Sequence, residues 1–150
     1  MNSIRLMLVD SNPSYVRSIQ ETLRREPDIE VVAVAYNGAD ALKIALLSQP
    51  DVLVTSLVMP VLDGFALMES LAKAKMNARI IVLTELTRDC FIRQAMDMGA
   101  CYYMIKPVDP AILCSRVRDS LYFAENGALL SQIHEQKDAI NPLLTALGIA

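Results

Sequence analysis

Five short apolar runs, each closed by a polar or turn-forming cluster and each followed by an amphipathic stretch, set the strongest limit on what this chain can fold into. The first is Ile4-Arg5-Leu6-Met7-Leu8-Val9, which stops at Asp10-Ser11-Asn12-Pro13. A run of this length bounded by turn residues reads as a buried strand. Asn12 is a good helix cap and Pro13 suits a first helical position, because its missing N–H and fixed φ cost nothing there. Val16, Ile19 and Leu23 then recur at helical spacing among charged residues, and the helix should end before Pro27.

The same rhythm repeats along the chain. Glu30–Ala35 is β-branched and bounded by Asn37-Gly38, predicting a second strand and then a helix from about Ala39 to Leu47. Val52–Thr55 is a third strand, and Phe65, Leu67, Met68 and Leu71 line a third helix. Arg79–Thr84 is a fourth strand, with a helix through Cys90, Ile92, Ala95 and Met96 that stops at Gly99. Cys101–Ile105 is the fifth strand, broken by Lys106-Pro107, and Ile112, Leu113, Val117 and Leu121 mark a last helix reaching about Ala124. Strands alternating with helices at this spacing predict a doubly wound α/β domain with a five-stranded parallel sheet, covered on both faces, over residues 1–124.

A chain of 150 residues with 53% hydrophobic and 21% charged content can bury one core without disulfides or structural metal. No apolar run approaches the roughly 20 residues needed to span a bilayer. The N-terminus lacks a signal-peptide layout, so a cytoplasmic protein with no membrane partner is expected. Cys90, Cys101 and Cys114 are odd in number and form no Cys-x-x-Cys pair, and they read as reduced filler. The single His134 has no second His beside it and reads as a surface residue. A net charge of −3 offers no cationic footprint for nucleic acid, so this segment is not expected to bind it.

After Asn126-Gly127 the texture becomes helical from Leu129 to Ile140, and Asn141-Pro142 resembles another helix start. Residues 125–150 therefore read as a C-terminal helical extension: a linker, or the start of a missing effector domain. Contact with DNA would come only through such a domain.

Ligands of open parallel sheets gather beyond the carboxyl ends of the strands, where the strand order reverses. The residues ending strands here are Asp10-Ser11, Thr55-Ser56, Thr84 and Lys106 with Pro107 behind it. A carboxylate, several hydroxyls and a lysine are thus predicted to share one edge.

Asp10 after the first strand, Met59-Pro60 and Asp63-Gly64 after the third, Thr84, Gly99-Ala100 and Lys106-Pro107 follow one another on the elements where response regulator receiver domains carry such residues. Residues 4 to about 124 resemble that CheY-like, flavodoxin-like family. The resemblance implies an acidic pair and an acceptor aspartate that together hold Mg²⁺. It also implies phosphoryl transfer from a histidine kinase or phosphotransfer protein, with the threonine and lysine contacting the phosphate. Hard oxygen ligands suit Mg²⁺, and phosphoryl transfer needs mainly positioning and charge neutralisation.

The chain departs from that pattern twice. Four residues before Pro60 and seven before Asp63, the acceptor position holds Ser56, and the second member of the acidic pair is Ser11. A hydroxyl cannot form an acyl phosphate, and Asp10 alone is a weak metal ligand, so a degenerate phosphoacceptor site is expected, with no cofactor or at most weakly held Mg²⁺ at Asp10. Ser56 as a nucleophile would need an adjacent base, and no His is placed to serve; Asp10 is the only carboxylate expected nearby.

The remaining positions take structural readings. Lys106 pairs with Asp10, Thr84 hydrogen-bonds a neighbouring loop, and Asp63-Gly64 serves a turn and helix start, glycine supplying a conformation other residues resist. In related receivers Thr84, Tyr103 and Lys106 are the switch positions. Strand alternation sends Tyr102 and Tyr103 to opposite faces, so one can be exposed while the other packs.

The resemblance implies a partner protein or a homodimer on the face formed by the fourth helix, fifth strand and fifth helix. Leu143–Ala150 is similar to the opening helix of the DNA-binding half in the stage-zero sporulation regulator family, which suggests the N-terminal part of a transcriptional regulator. The rival reading is a small phosphohydrolase using Asp10, or a ligand binder, on the same scaffold. Against it stand Asn12 in place of a second carboxylate, and the lack of a Gly-rich phosphate loop or a general base.

Overall fold

In the computed structural model, residues 3–125 are described. Strands β1 (Ile4–Val9), β2 (Ile29–Ala35), β3 (Val52–Thr55), β4 (Arg79–Thr84) and β5 (Tyr102–Ile105) alternate with helices α1 (Pro13–Leu23), α2 (Gly38–Ser48), α3 (Gly64–Lys73), α4 (Asp89–Asp97) and α5 (Pro110–Glu125). All four strand pairings are parallel, in the order β2-β1-β3-β4-β5. The chain goes one way from β1 and the other way from β3, which opens a crevice at the carboxyl ends of those two strands.

Alternation along β1 explains why helices cover both faces. Leu6 and Leu8 join a core with Val16, Ile19 and Leu23 of α1 and with Leu113 and Val117 of α5. Met7 and Val9 enter the opposite core with Ala41 and Ala45 of α2 and Leu67 and Leu71 of α3. A third cluster, Leu57, Met68, Val82, Ala95 and Ala100, seats α4. Each fully buried leucine is worth about 2 kcal/mol, so both faces of the sheet are needed to hold it.

The helix starts follow local chemistry. The side chains of Asn12, Asn37 and Asp63 accept from the backbone N–H of Tyr15, Asp40 and Ala66. Because Asn37 is itself the cap, α2 begins at Gly38 rather than Ala39. α1 ends at Leu23, short of Pro27, where Arg25 and Glu26 tighten into a turn on the carbonyls of Thr22 and Leu23. β2 starts one residue earlier than expected and β5 one later, and α5 reaches Glu125.

Gly64 corrects a sequence expectation. Its φ is not positive, and the need for glycine is spatial: a Cβ there would lie 2.3 Å from the Ser56 carbonyl oxygen. The left-handed backbone in this loop falls instead on Val61, at φ 70°. Among the described residues no helix is long and apolar enough to cross a membrane. The stretch Leu129–Ile140, His134, the Asn141-Pro142 start and Leu143–Ala150 lie outside the described residues.

Candidate functional site

The parallel sheet aims the ends of β1, β3, β4 and β5 at one edge. There Asp10, Ser11, Asn12, Ser56, Val58, Thr84, Glu85, Leu86 and Lys106 line a cavity of about 320 Å³. Asp10, Ser56 and Thr84 are buried, while Ser11 is exposed. The Ser56 N–H donates to the Val9 carbonyl at 2.9 Å, which fixes the end of β3 against the end of β1.

Both oxygens of Asp10 are engaged. The Lys106 ammonium donates to Oδ2 at 2.5 Å, and the Asn12 backbone N–H donates to Oδ1 at 3.0 Å. The same ammonium lies 4.5 Å from the centroid of the Tyr15 ring. A cation held over an aromatic face gains about 0.5–2 kcal/mol, more as water is excluded. Burial, and then the nearby Asp10 charge, push the Tyr15 phenol above its ordinary pKa.

Thr84 and Tyr103 meet on the loop after β4. Thr84 Oγ1 accepts from the Leu86 N–H at 3.4 Å, and the Tyr103 hydroxyl donates to the Leu86 carbonyl at 2.8 Å. Burial pushes the Tyr103 phenol up to about 12. Tyr102 faces the other side, with the α1 and α5 core, its ring 5.2 Å from the Arg116 guanidinium. Neither tyrosine is exposed: both are half-buried, because the flanking helices cover both faces of this edge strand. Cys114 is buried and its thiol is pushed up to about 11 by burial, whereas Cys90 is exposed on α4 rather than filling the core.

Two neighbours of Asp10 are missing from the sequence reading. Glu85 lines the cavity, so Asp10 is not the only carboxylate close to Ser56. Its signal was its place directly after Thr84, where the chain leaves the sheet at the lip of the crevice. Tyr15 gave no such signal, since its contact with Lys106 is made across the carboxyl edge of the sheet between residues far apart in the chain.

The sequence model of the response regulator receiver domain matches residues 6–118. The chain belongs to that family. Among solved structures it is similar to the receiver domain of AraT, a response regulator from Geobacillus stearothermophilus, at 30% identity and TM-score 0.72, covering 81% of this chain and 95% of that one. It is similar to a LuxR-family two-component response regulator from Aurantimonas at 26% identity and TM-score 0.75, covering 91% and 99%. It shares its fold with a chain of the CheX-CheY-BeF3-Mg²⁺ complex from Borrelia burgdorferi, at 20% identity and TM-score 0.75, covering 80% and 90%.

Receiver domains are signalling modules that work with histidine kinases and phosphotransfer proteins, and in general they bind Mg²⁺ at the phosphorylation site. The donors in this receiver do not fit that ion. Asp10 is committed to Lys106 and Asn12, and Ser11 and Ser56 offer neutral hydroxyls. Among the described residues, no three or more His, Cys, Asp or Glu side chains are grouped to hold a metal. Mg²⁺ is dehydrated reluctantly and needs several anionic oxygens to compensate, and with Asp10 neutralised by Lys106 the cavity offers only the exposed Glu85 besides.

Proposed function

We propose that this receiver is phosphorylation-impaired and signals through protein contacts. The observation that carries the reading is Ser56: buried just after β3, it presents a hydroxyl at the acceptor position counted back from Pro60 and Asp63. An acyl phosphate needs a carboxylate, and a serine nucleophile needs a base. No histidine occurs among the described residues, Asp10 is held by Lys106, and Glu85, the cavity's other carboxylate, is exposed to solvent. In this reading Ser11 is a second lost carboxylate, Lys106 is a structural partner of Asp10, and Thr84 and Tyr103 retain the switch positions without a phosphoryl group to move them.

Output then comes from a constitutive surface. The face of α4, β5 and α5 carries Tyr103 and is the proposed contact for a homodimer or a protein partner; a histidine kinase or phosphotransfer protein remains a binding partner in kind. In this reading residues 1–124 are the receiver unit, and residues 125–150 are a helical linker or the start of an effector domain, the latter favoured by the likeness of Leu143–Ala150 to the sporulation regulators. The neighbours AraT and the Aurantimonas protein, both response regulators, support a regulatory role.

Incubation with Mg²⁺ and acetyl phosphate, with intact mass measured afterwards, tests the reading. No gain in mass is expected. A stoichiometric gain of one phosphoryl group at any residue of this edge overturns it.

A further inference from the structure

A cavity of about 160 Å³ opens at the opposite edge of the sheet, where α3 and α4 end and β4 begins. Three of the chain's eight methionines, Met68, Met76 and Met98, line it. The rest of its wall is Leu71, Ile80, Gly99 and two alanines, so among the described residues it holds no charged side chain, thiol or imidazole. The backbone under each methionine is fixed. Met68 lies within α3 and is buried in the cluster that seats α4. Lys75 takes a left-handed φ of 57°, and the Met76 N–H then donates back to the Leu71 carbonyl at 3.1 Å. Met98 caps α4, its N–H donating to the Gln94 carbonyl at 3.0 Å, and Gly99 at φ 105° turns the chain away. Two left-handed turns on different helices thus bring methionines from three segments to one space.

Methionine is a common filler of irregular gaps, because its three rotatable bonds let it adapt. A filler closes the gap that it fills, and well-packed interiors leave few voids larger than a water molecule. Here the space stays open between three side chains long and flexible enough to close it. We propose that Met68, Met76 and Met98 form a site for a soft monovalent cation, Cu(I) or Ag(I), held by their thioether sulfurs. Thioethers are soft, neutral donors and select Cu(I), whereas Mg²⁺, Ca²⁺ and Mn²⁺ take carboxylate, carbonyl and water oxygens. A single positive charge also suits a wall that supplies no anion, since a divalent ion there would be left without a counter-charge. The long side chains let the sulfurs follow the ion's preferred geometry while the backbone stays in place. The ion would tie the end of α3 to the end of α4, at the edge away from Ser56, so the site stands whichever way the phosphoacceptor position is decided.

The test is an Ag⁺ titration of the full chain, ¹³C-labelled at the methionine methyls and followed by NMR, with accessible thiols blocked by N-ethylmaleimide. Blocking is needed because Cys90 is exposed and thiolates are metal ligands. Silver taken up by a residual thiol moves no methionine signal, so the readout stays specific to the site. The methyl resonances of Met68, Met76 and Met98 should shift together along one saturating curve, while those of Met7 and Met104 stay in place. Single Met→Leu variants assign the signals and keep the side-chain volume. Met98→Leu should weaken binding, read at Met68 and Met76, by about ten-fold, one ligand of three being lost. Met104→Leu should leave it within about two-fold. Met76→Leu repeats the Met98→Leu measurement from another segment, in case that variant folds poorly. A shift at fewer than all three residues, shifts of equal size at Met7 and Met104, or unchanged affinity in both Met76→Leu and Met98→Leu overturns the proposal.

Discussion

Lys106 and Asp10 are 96 residues apart in sequence, yet their charged groups lie 2.5 Å apart at the carboxyl edge of the sheet. The contact ties the end of β5 to the end of β1 across two intervening strands, β3 and β4. Buried pairs of this kind contribute little net stability, because desolvation offsets attraction, but removal of one partner strands the other. Lys106→Met should therefore lower unfolding stability by about 3 kcal/mol, and Lys106→Met with Asp10→Asn should recover more than half of that loss. Urea titration of the wild type and the two variants measures it. A double variant no more stable than Lys106→Met alone would mean that the two charges are not coupled.

Thermal melts with and without millimolar Mg²⁺ should overlap. An ion that binds only the folded chain must raise its stability by RT ln(1 + [L]/Kd), so a clear upward shift would reveal ligands beyond Asp10.

Tyr103→Phe removes the hydroxyl that donates to the Leu86 carbonyl, and should cost about 1 kcal/mol in a denaturant titration. The wild-type phenol has its folded pKa raised by burial to about 12 from 10.0. Its contribution to stability is therefore complete below the unfolded value and lost as pH rises from 10.0 through about 12. Tyr103→Ala should weaken self-association in sedimentation, or effector output, with the fold intact by circular dichroism. If neither changes, the face of α4, β5 and α5 is not the working surface.

Arg118 anchors α5 to the turn before β2 with two bonds to Asp28, at 2.7 and 2.8 Å. The guanidinium hydrogen bond holds the Asp28 carboxyl below its ordinary 3.8. A depressed carboxylate stabilises the fold above its unfolded pKa, and that contribution disappears as pH falls below 3.8 through the folded value. Both side chains are partly exposed, so solvent screening limits the effect to about 1 kcal/mol or less. Arg118→Met should lose this amount at neutral pH and show a shallower decline into acid. Parallel acid profiles for the two proteins would refute the assignment.

Gly64→Ala should be among the most damaging single-methyl changes in the chain. The added carbon meets backbone, at 2.3 Å from the Ser56 carbonyl and 2.8 Å from the Leu57 Cα, and cannot be relieved by a rotamer change. A loss of about 3 kcal/mol is expected, on the scale of overpacked core sites. Retention of wild-type stability in a urea melt would show that the loop before α3 can shift.

The order of elements, their caps and the residues that end each strand were legible in the sequence, because those features depend on neighbours a few positions apart. Asn12 and Pro13 start α1 through chemistry local to four residues, and the alternation of Leu6, Met7, Leu8 and Val9 divides β1 between two cores by period alone. Ser56 was found by counting back from Pro60 and Asp63, and that count needed no coordinates.

Tertiary structure decided what no local rule reaches. Tyr15 meets Lys106 only because the start of α1 and the segment after β5 both arrive at the carboxyl edge of the parallel sheet. Glu85 joins the cavity because the chain turns away from the sheet at Thr84. Gly64 is required by a carbonyl eight residues earlier that the β3–α3 loop folds back upon, not by a backbone angle. Helical and strand periods are written within one element, whereas these contacts join segments whose approach is set by the packing of the whole sheet; the sequence determined which groups arrive at the edge, and the fold determined which of them touch.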